Sequence, residues 1–214
     1  MLGWLRPFMA KVWKAPAKGL LRLGVTPNAV TVFGTVGAMA AALWFFPKGG
    51  DNLFWGTLAI AAFAVSDMLD GTMARLSGKA SRFGAFLDST LDRVADATIF
   101  GALAWGFIDV DRQTALAAFV CMAVGSFVPY ARARAEGLGV EAKVGIAERA
   151  DRLAVGGIAA VLVGLGLPRE ILTYTLWALA LAATITVFQR GAVVARASRK
   201  DPTLPAPAPQ RAAS

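Results

Sequence analysis

Residues 67–75 read DMLDGTMAR and residues 84–92 read GAFLDSTLD. Both segments lie in otherwise apolar sequence, yet together they contain the four aspartates Asp67, Asp70, Asp88 and Asp92. An ionisable side chain in a membrane costs about 2.5–3.5 kcal/mol on insertion scales, so such residues normally mark a functional site. Spacings of three and four residues place each pair of aspartates on one face of a helix. The two segments therefore predict two helices whose carboxylates point into one cavity.

The residue types in this pattern predict a metal ion and a phosphorylated ligand. Four carboxylates in one cavity repel each other unless a cation lies between them, and hard divalent cations such as Mg²⁺ prefer oxygen ligands. Gly71 and Gly84 leave room for the backbone to approach a ligand, and Arg75 supplies a positive charge suited to phosphate. The alternative is a solvated, charged turn between two helices. That alternative does not explain charges placed up to four residues inside apolar sequence.

The pattern D-x-x-D-G-x-x-A-R, eight residues, G-x-x-x-D-x-x-x-D resembles the motif of the CDP-alcohol phosphotransferases, and every motif position is filled. The resemblance extends over residues 20–200. It implies six transmembrane helices, a homodimer and a divalent metal, Mg²⁺ or Mn²⁺, as two ions. It also implies transfer of a phosphatidyl group from a CDP-linked donor, such as CDP-diacylglycerol, to an alcohol.

The resemblance also implies roles for the motif residues. Asp67, Asp70 and Asp88 are implied as metal ligands, and Asp92 as the base that deprotonates the acceptor hydroxyl. Because Asp92 lies one helical turn from Asp88, it is also a candidate ligand of a second metal ion. Two oxygen-ligated metals about 4 Å apart clamp a reacting phosphoryl group and its leaving group. Asp96, one helical turn beyond Asp92, is interpreted as structural. The residues implied to line the cytidine and pyrophosphate site of the donor are Asp67, Gly71, Ala74, Arg75, Ser81 and Gly84.

Composition places the chain in a membrane. Apolar residues make up 57% of the 214 residues and the mean hydropathy is +0.57, with repeated apolar runs that approach the roughly 20 residues needed to span a bilayer. The net charge is +8. Because the basic residues lie between apolar runs, they favour anionic membrane lipids and phosphorylated substrates as partners over nucleic acid.

The sequence contains no histidine, and this absence excludes several kinds of chemistry. It rules out a Ser-His-Asp hydrolase, histidine-ligated zinc and the histidine nucleophile of phospholipase-D-like transferases. Any general base must therefore be a carboxylate, a lysine or a tyrosine.

We predict an all-α membrane protein with one transmembrane domain, residues 24–200, preceded by an N-terminal amphipathic helix. Residues 1–23 place basic and apolar side chains on opposite faces of a helix, which is typical of a helix lying in the membrane interface. A signal peptide is the alternative, but a long apolar core is missing. The Pro/Ala-rich tail, residues 201–214, is predicted to be disordered. The six predicted spans are Ala29–Phe46, Leu53–Arg75, Arg82–Ile108, Thr114–Ala135, Arg149–Leu165 and Ile171–Arg196.

Basic residues concentrate on the side of the membrane that holds both predicted termini. The positive-inside rule therefore places the termini and the aspartates at the cytoplasmic face of a multi-pass plasma-membrane protein. The phrase Thr26-Pro27-Asn28, followed by Thr31, has two interpretations. It is either a plain helix cap or, by resemblance to the family, a segment near the nucleotide.

Arginines near the same face indicate the acceptor. Arg132 and Arg152 flank the loop between the fourth and fifth predicted spans, and Arg190 lies in the sixth, where a charge needs an anionic partner. The phrases YARARAE (130–136), ERADR (148–152) and QR (189–190) resemble those of actinobacterial phosphatidylinositol phosphate synthases. In those enzymes the matching positions hold the inositol phosphate, although this chain has Pro129 where serine, and Arg132 where lysine, is expected.

Other interpretations of these residues remain. The acceptor is glycerol 3-phosphate in the main alternative, and the positive-inside rule alone is another explanation for the arginines. A cation-coupled transporter also carries charges in its spans, but rarely has two glycines and an arginine in this register. A non-catalytic membrane scaffold would keep the fold without needing four aspartates. Release of CMP from CDP-diacylglycerol separates an enzyme from both.

Overall fold

The computed structural model describes residues 5–78 and 81–200, and the side chains of residues 13–66, 68–78 and 81–199. Residues 1–4, the Asp67 side chain and the predicted tail, 201–214, lie outside this description. Within it the chain is all-helical, as predicted. The helices in chain order are α1 (Leu5–Arg22), α2 (Pro27–Phe45), a short 3₁₀ helix (Phe46–Lys48), α3 (Asn52–Ala64), α4 (Ser66–Ser77), α5 (Arg82–Phe107), α6 (Arg112–Glu136), α7 (Arg149–Gly164) and α8 (Glu170–Lys200).

Four helical stretches among the described residues are long and apolar enough to cross a membrane. They are Pro27–Lys48, Asn52–Ser77, Arg112–Glu136 and Glu170–Arg199. The chain is therefore a multi-pass membrane protein. The other two predicted spans correspond to α5 and α7. Each of these helices carries several charged residues, among them Asp88 and Asp92 in α5 and Arg152 in α7. The helix α7 is only 16 residues long. For these two helices, membrane crossing stays a prediction.

The second predicted span consists of two helices in series, α3 and α4, which meet at Val65. At this point the Ser66 hydroxyl donates a hydrogen bond to the Phe63 carbonyl (2.6 Å), and such local bonds compete with the helical ladder. Gly34 of α2 packs against the junction so closely that an added Cβ would lie 1.6 Å from Ser66 Oγ. The helix α4 then extends to Ser77 and ends at Gly78, whose φ of 63° is the left-handed conformation that glycine favours.

The helix α1 packs on α4. Its Ala17 is fully buried and forms a small apolar cluster with Val30 of α2 and Met73 of α4. Lys14 and Lys18 are exposed on the other face. The predicted amphipathic segment is thus helical over Leu5–Arg22, and the basic residues described in it point away from the protein.

The main core lies between α5, α6 and α8, with α3 and α7 packed beside them. Its largest buried apolar residues include Leu53, Phe100, Leu172 and Leu176. Many large apolar side chains are instead exposed, for example Phe188, at 74%. A soluble monomer rarely exposes such a surface, whereas a membrane-spanning bundle faces lipid with it.

We predict that Gly106→Ala destabilises the protein by about 1–3 kcal/mol, the usual cost of overpacking. A Cβ at Gly106 would lie 2.4 Å from the backbone oxygen of Phe46. Gly101→Ala, in the same helix, is the matched control, because its added Cβ would meet only Met122 Sδ, at 3.7 Å. Thermal unfolding of the purified protein in detergent measures both variants. Equal stability of the two would contradict this tight contact between α5 and the 3₁₀ helix.

Candidate active site

Two cavities adjoin one another along the first half of α5. The first, the aspartate cavity, has a volume of about 340 Å³ and is lined by residues of α2, α4 and α5. The second, the arginine cavity, has a volume of about 570 Å³ and is lined by residues of α5, α6, α7 and α8. Asp92 lines both cavities. A group that bridges two binding spaces in this way can contact a ligand in each.

The aspartate cavity contains most residues of the sequence motif. Three of the four motif aspartates, Asp70, Asp88 and Asp92, line it. The fourth is Asp67, whose side chain lies outside the described residues. Four of the predicted donor-binding residues are also in the lining: Gly71, Ala74, Ser81 and Gly84.

Arg75 is not among the residues that line the aspartate cavity. Its guanidinium donates a hydrogen bond to the Thr72 hydroxyl (3.1 Å) and also lies near Gly71. Arg75 therefore sits beside the cavity, one helical turn along α4.

The start of α2 also enters the aspartate cavity. Thr26 caps the helix by accepting a hydrogen bond from the Ala29 N–H (3.2 Å), and Pro27 occupies the first turn. Pro27, Asn28 and Thr31 then line the cavity. The phrase thus caps the helix and also lines the cavity, while its nearness to a nucleotide stays a prediction. Its residues were not among the predicted donor-binding residues.

Asp70 is the most buried described carboxylate of the motif, at 8% exposure. The Thr31 hydroxyl donates a hydrogen bond to Asp70 Oδ2. This bond fixes the carboxylate across the interface between α2 and α4. Asp88, in contrast, is exposed in the aspartate cavity.

The carboxylates of this cavity fit a hard divalent cation in their chemistry, because every donor is an oxygen. Among the side chains that the structure describes, however, no three acidic, histidine or cysteine residues form a group that could hold a metal ion. That description omits the side chain of Asp67, the fourth predicted ligand. The ligand set and the number of ions stay predictions.

Capping and glycine positions set the start of α5. The Ser81 hydroxyl accepts a hydrogen bond from the Gly84 N–H (2.9 Å), as expected of an N-cap serine. A Cβ on Gly84 would lie 3.1 Å from Asn28 Oδ1. Glycine at this position therefore lets α2 approach α5. A Cβ on Gly71 would meet only Arg75 Nη1, at 3.7 Å.

Arginines from three helices meet in the arginine cavity: Arg132 from α6, Arg149 and Arg152 from α7, and Arg190 from α8. Arg93 of α5 also lines it. Against these five arginines stand three lining carboxylates, those of Asp92, Glu136 and Glu148. The cavity is therefore positively charged and suited to an anionic ligand.

Arg152 is almost fully buried, at 1% exposure. Its Nη2 lies 3.2 Å from Asp96 Oδ2, but its buried Nε and Nη1 find no hydrogen-bond partner among the residues that the structure describes. Gly125 of α6 makes room for this guanidinium, because an added Cβ would lie 3.1 Å from Arg152 Nε. Burying an arginine with unpaired donors is costly, and a nearby anion offsets this cost.

Arg190 has different partners. Its Nε donates to the Val144 carbonyl (2.9 Å) and its Nη1 to the Val128 carbonyl. One helical turn earlier, the buried Thr186 hydroxyl accepts hydrogen bonds from Ile146 N (3.1 Å) and Ala147 N (3.2 Å). The described contacts of Arg190 are thus carbonyl oxygens, and they help to fasten the loop between α6 and α7 to α8.

Two basic residues near the arginine cavity pair with acidic neighbours. Arg132 Nε lies 2.9 Å from Glu136 Oε1, one turn along α6. Lys143 pairs with Glu141 in the loop between α6 and α7, and its hydrogen bond holds the pKa of that carboxyl below the usual range. Lys143 does not line the cavity, whereas Arg132 does.

Arg149 lines the arginine cavity and contacts two aspartates of α5. Its Nη1 lies 2.8 Å from Asp92 Oδ1 and its Nε 2.8 Å from Asp96 Oδ1. From the sequence, Arg149 belongs to a basic cluster suited to a phosphorylated acceptor but is not among the predicted phosphate-binding residues, and Asp96 is interpreted as structural. The available signal was the spacing, since Asp88, Asp92 and Asp96 repeat every four residues and share one face of α5.

Comparison with known proteins identifies the family of the chain. Residues 24–189 match the family model described as CDP-alcohol phosphatidyltransferase. A phosphatidylinositol phosphate synthase of Streptomyces avermitilis is 43% identical over 203 residues, which cover 91% of this chain and 82% of that protein.

The fold of this chain is similar to that in crystal structures of phosphatidylinositol phosphate synthase from Mycobacterium tuberculosis. The complex with manganese and citrate has a TM-score of 0.80 at 37% identity, covering 85% of this chain and 88% of the other. The complex with CDP-DAG has the same TM-score and identity, covering 86% and 94%. Given the motif, the fold and a family match over most of its length, the chain belongs to the CDP-alcohol phosphatidyltransferase family.

Proposed function

We propose that this enzyme transfers the phosphatidyl group of CDP-diacylglycerol to a hydroxyl of inositol phosphate, giving phosphatidylinositol phosphate and CMP. The observation that carries the proposal is the arginine cavity, with its excess of positive charge, directly beside the aspartate cavity. A phosphorylated acceptor can form charge-assisted hydrogen bonds with these arginines, whereas an acceptor without phosphate, such as free inositol or serine, lacks the group that would bind them. The similar enzymes of Streptomyces avermitilis and Mycobacterium tuberculosis, both phosphatidylinositol phosphate synthases, support inositol phosphate.

In this proposal the donor lies in the aspartate cavity. Asp67, Gly71, Ala74, Ser81 and Gly84 border its cytidine and pyrophosphate, and Arg75 stands beside them. Pro27, Asn28 and Thr31 at the start of α2 complete the wall. The glycines keep side-chain volume away from the ligand, and Thr31 holds Asp70 in place.

The carboxylates of Asp67, Asp70, Asp88 and Asp92 would hold divalent cations, Mg²⁺ or Mn²⁺, as two ions. Such ions, when bound, neutralise charge on the pyrophosphate and on the departing CMP. Their oxygen-only donor set supports the assignment, as does the manganese in the similar Mycobacterium tuberculosis structure.

Asp92 is the proposed base, because it lines both cavities. The acceptor hydroxyl gives its proton to the Asp92 carboxylate as its oxygen forms a bond to the β-phosphorus of the donor. The bond from that phosphorus to the CMP oxygen breaks, and CMP leaves with the electron pair. Arg132, Arg152 and Arg190 would hold the acceptor phosphate on the far side of Asp92, which orients the hydroxyl toward the donor.

The same proposal covers the placement of the chain. All six predicted spans cross the plasma membrane, and the active site and both termini face the cytoplasm. The helix α1, Leu5–Arg22, lies in the membrane interface, where its exposed Lys14 and Lys18 suit anionic lipid headgroups. The enzyme acts as a homodimer.

An acceptor panel tests the reaction. The purified enzyme is incubated with CDP-diacylglycerol, Mg²⁺ and one of four acceptors, namely inositol phosphate, glycerol 3-phosphate, free inositol or serine, and CMP release is measured. We expect inositol phosphate to be used best and the two unphosphorylated acceptors to be poor. Preference for glycerol 3-phosphate would overturn the acceptor while leaving the reaction class intact.

We predict that Arg152→Ala raises the KM for inositol phosphate by about tenfold or more, because a charge-assisted hydrogen bond to phosphate contributes about 1.5–3 kcal/mol. The KM for CDP-diacylglycerol should change little. Arg152→Lys should recover only part of the loss, since an ammonium group cannot make the paired contact of a guanidinium.

Arg134→Lys is the matched control for these variants, because Arg134 is exposed near the end of α6 and does not line the arginine cavity. Thermal unfolding of each variant checks that buried Arg152 has been replaced without loss of fold. An unchanged acceptor KM in a folded Arg152→Ala enzyme would remove Arg152 from the acceptor site.

A further inference from the structure

Asp96 joins two arginines of a different helix. Its Oδ1 lies 2.8 Å from Arg149 Nε and its Oδ2 3.2 Å from Arg152 Nη2. The Asp96 side chain is only 14% exposed. A single carboxylate of α5 thus uses one oxygen for each of two arginines that lie three residues apart on the first turn of α7.

These contacts join α5 to α7, two helices that otherwise pack mainly on other helices. The helix α7 packs mainly on α3 and α8, and α5 mainly on α2 and α6. Ion pairs between long side chains contribute little to stability on balance, because desolvation offsets the attraction. Fixing the direction of a guanidinium is a role that this arrangement performs well, since the group is planar and its donors are rigidly spaced.

The orientation of the guanidinium group determines what each of the two arginines can contact. Arg149, held by Asp96 at Nε, extends Nη1 to Asp92 Oδ1. Arg152, held at Nη2, lines the arginine cavity, and its two further nitrogens, Nε and Nη1, have no hydrogen-bond partner among the described residues. Without the Asp96 charge, the guanidinium groups of Arg149 and Arg152 would repel one another, and neither would keep its ion pair with residue 96.

We propose that Asp96 is a positioning residue, which orients Arg149 toward Asp92 and Arg152 toward the phosphate of the acceptor. This inference rests on the proposed function, because it concerns a phosphorylated acceptor in the arginine cavity. Asp96 itself does not line that cavity and acts through the two arginines.

Asp96→Asn tests the proposal, because it keeps the shape of the side chain but removes its charge and turns one oxygen into an N–H donor that opposes an arginine. The full-length enzyme in detergent or nanodiscs should show an acceptor KM raised by about tenfold, with the KM for CDP-diacylglycerol within about twofold of the parent. Asp96→Glu, which restores the charge, should recover part of the acceptor KM. Asp109→Asn, an exposed aspartate in the loop after α5, is the control and should match the parent.

A double-mutant comparison separates positioning from a purely structural role. If Asp96 acts through Arg152, then Asp96→Asn combined with Arg152→Lys should raise the acceptor KM by much less than the product of the single effects. Lower thermal stability with an unchanged acceptor KM in Asp96→Asn would overturn the inference, and so would multiplicative effects in the double variant.

The parent enzyme distinguishes this failure from failure of the proposed function. The acceptor KM is measured with the phosphorylated acceptor that the parent uses best in the panel. If the parent enzyme prefers unphosphorylated acceptors, both the proposed function and this inference are wrong. A parent that uses inositol phosphate, with an Asp96→Asn variant of unchanged acceptor KM, sinks the inference alone.

Discussion

Asp70→Asn should lower the turnover of CDP-diacylglycerol by at least about 10³-fold while the protein remains folded. The substitution keeps the shape of a buried side chain and removes the negative charge that we propose to balance a dication. Metal ions contribute several kcal/mol of transition-state stabilisation in phosphoryl transfer, and each 1.36 kcal/mol is a factor of ten in rate. CMP release with saturating donor and acceptor measures the effect.

A second readout ties the Asp70 effect to the metal. Mn²⁺ binding, followed by the loss of the free-ion signal in electron paramagnetic resonance, should weaken in Asp70→Asn and stay at the parent level in Asp109→Asn. Chelation with EDTA should abolish turnover in the parent, and Mg²⁺ or Mn²⁺ should restore it. Turnover by Asp70→Asn at near the parent rate would show that the metal assignment is wrong.

The helices were predictable because their ends carry local signals. Three helices begin with an N-cap residue whose side chain accepts a backbone hydrogen bond, as the residue type predicts: Thr26, Ser81 and Asp111. Pro27 follows Thr26 in the first turn of α2. The junction at Val65 was not predictable in this way. No glycine or proline marks it, and it arises where Ser66 bonds to the Phe63 carbonyl at the point of close contact with α2.

The aspartates of the site were predictable because their spacing within two helices is itself the pattern. The partners of the arginines were not, because they depend on contacts between distant segments. Arg190 reaches the carbonyl oxygens of Val128 and Val144, and Arg149 reaches Asp96 on another helix. Charge and depth predicted that Arg190 needs a partner, but the amino-acid sequence alone does not distinguish a ligand phosphate from a backbone carbonyl.

Asp92→Asn should lower kcat by roughly 10²–10⁴-fold, the usual range for loss of a general base. Asp92 lines both cavities, so its carboxylate is placed between donor and acceptor. An asparagine there retains an oxygen for the 2.8 Å contact with Arg149 Nη1, but it cannot take up a proton. The contact between α5 and α7 should therefore survive while proton transfer is lost.

Donor binding distinguishes the base role of Asp92 from a ligand role. Calorimetric titration with a CDP-diacylglycerol of short acyl chains, in the presence of Mg²⁺, should show nearly parental affinity for Asp92→Asn and a clear loss for Asp70→Asn. Asp109→Asn again serves as the control, because it removes a carboxylate outside both cavities. If Asp92→Asn and Asp70→Asn lose donor affinity equally, Asp92 is chiefly a metal ligand and the proton of the acceptor hydroxyl must go to another group.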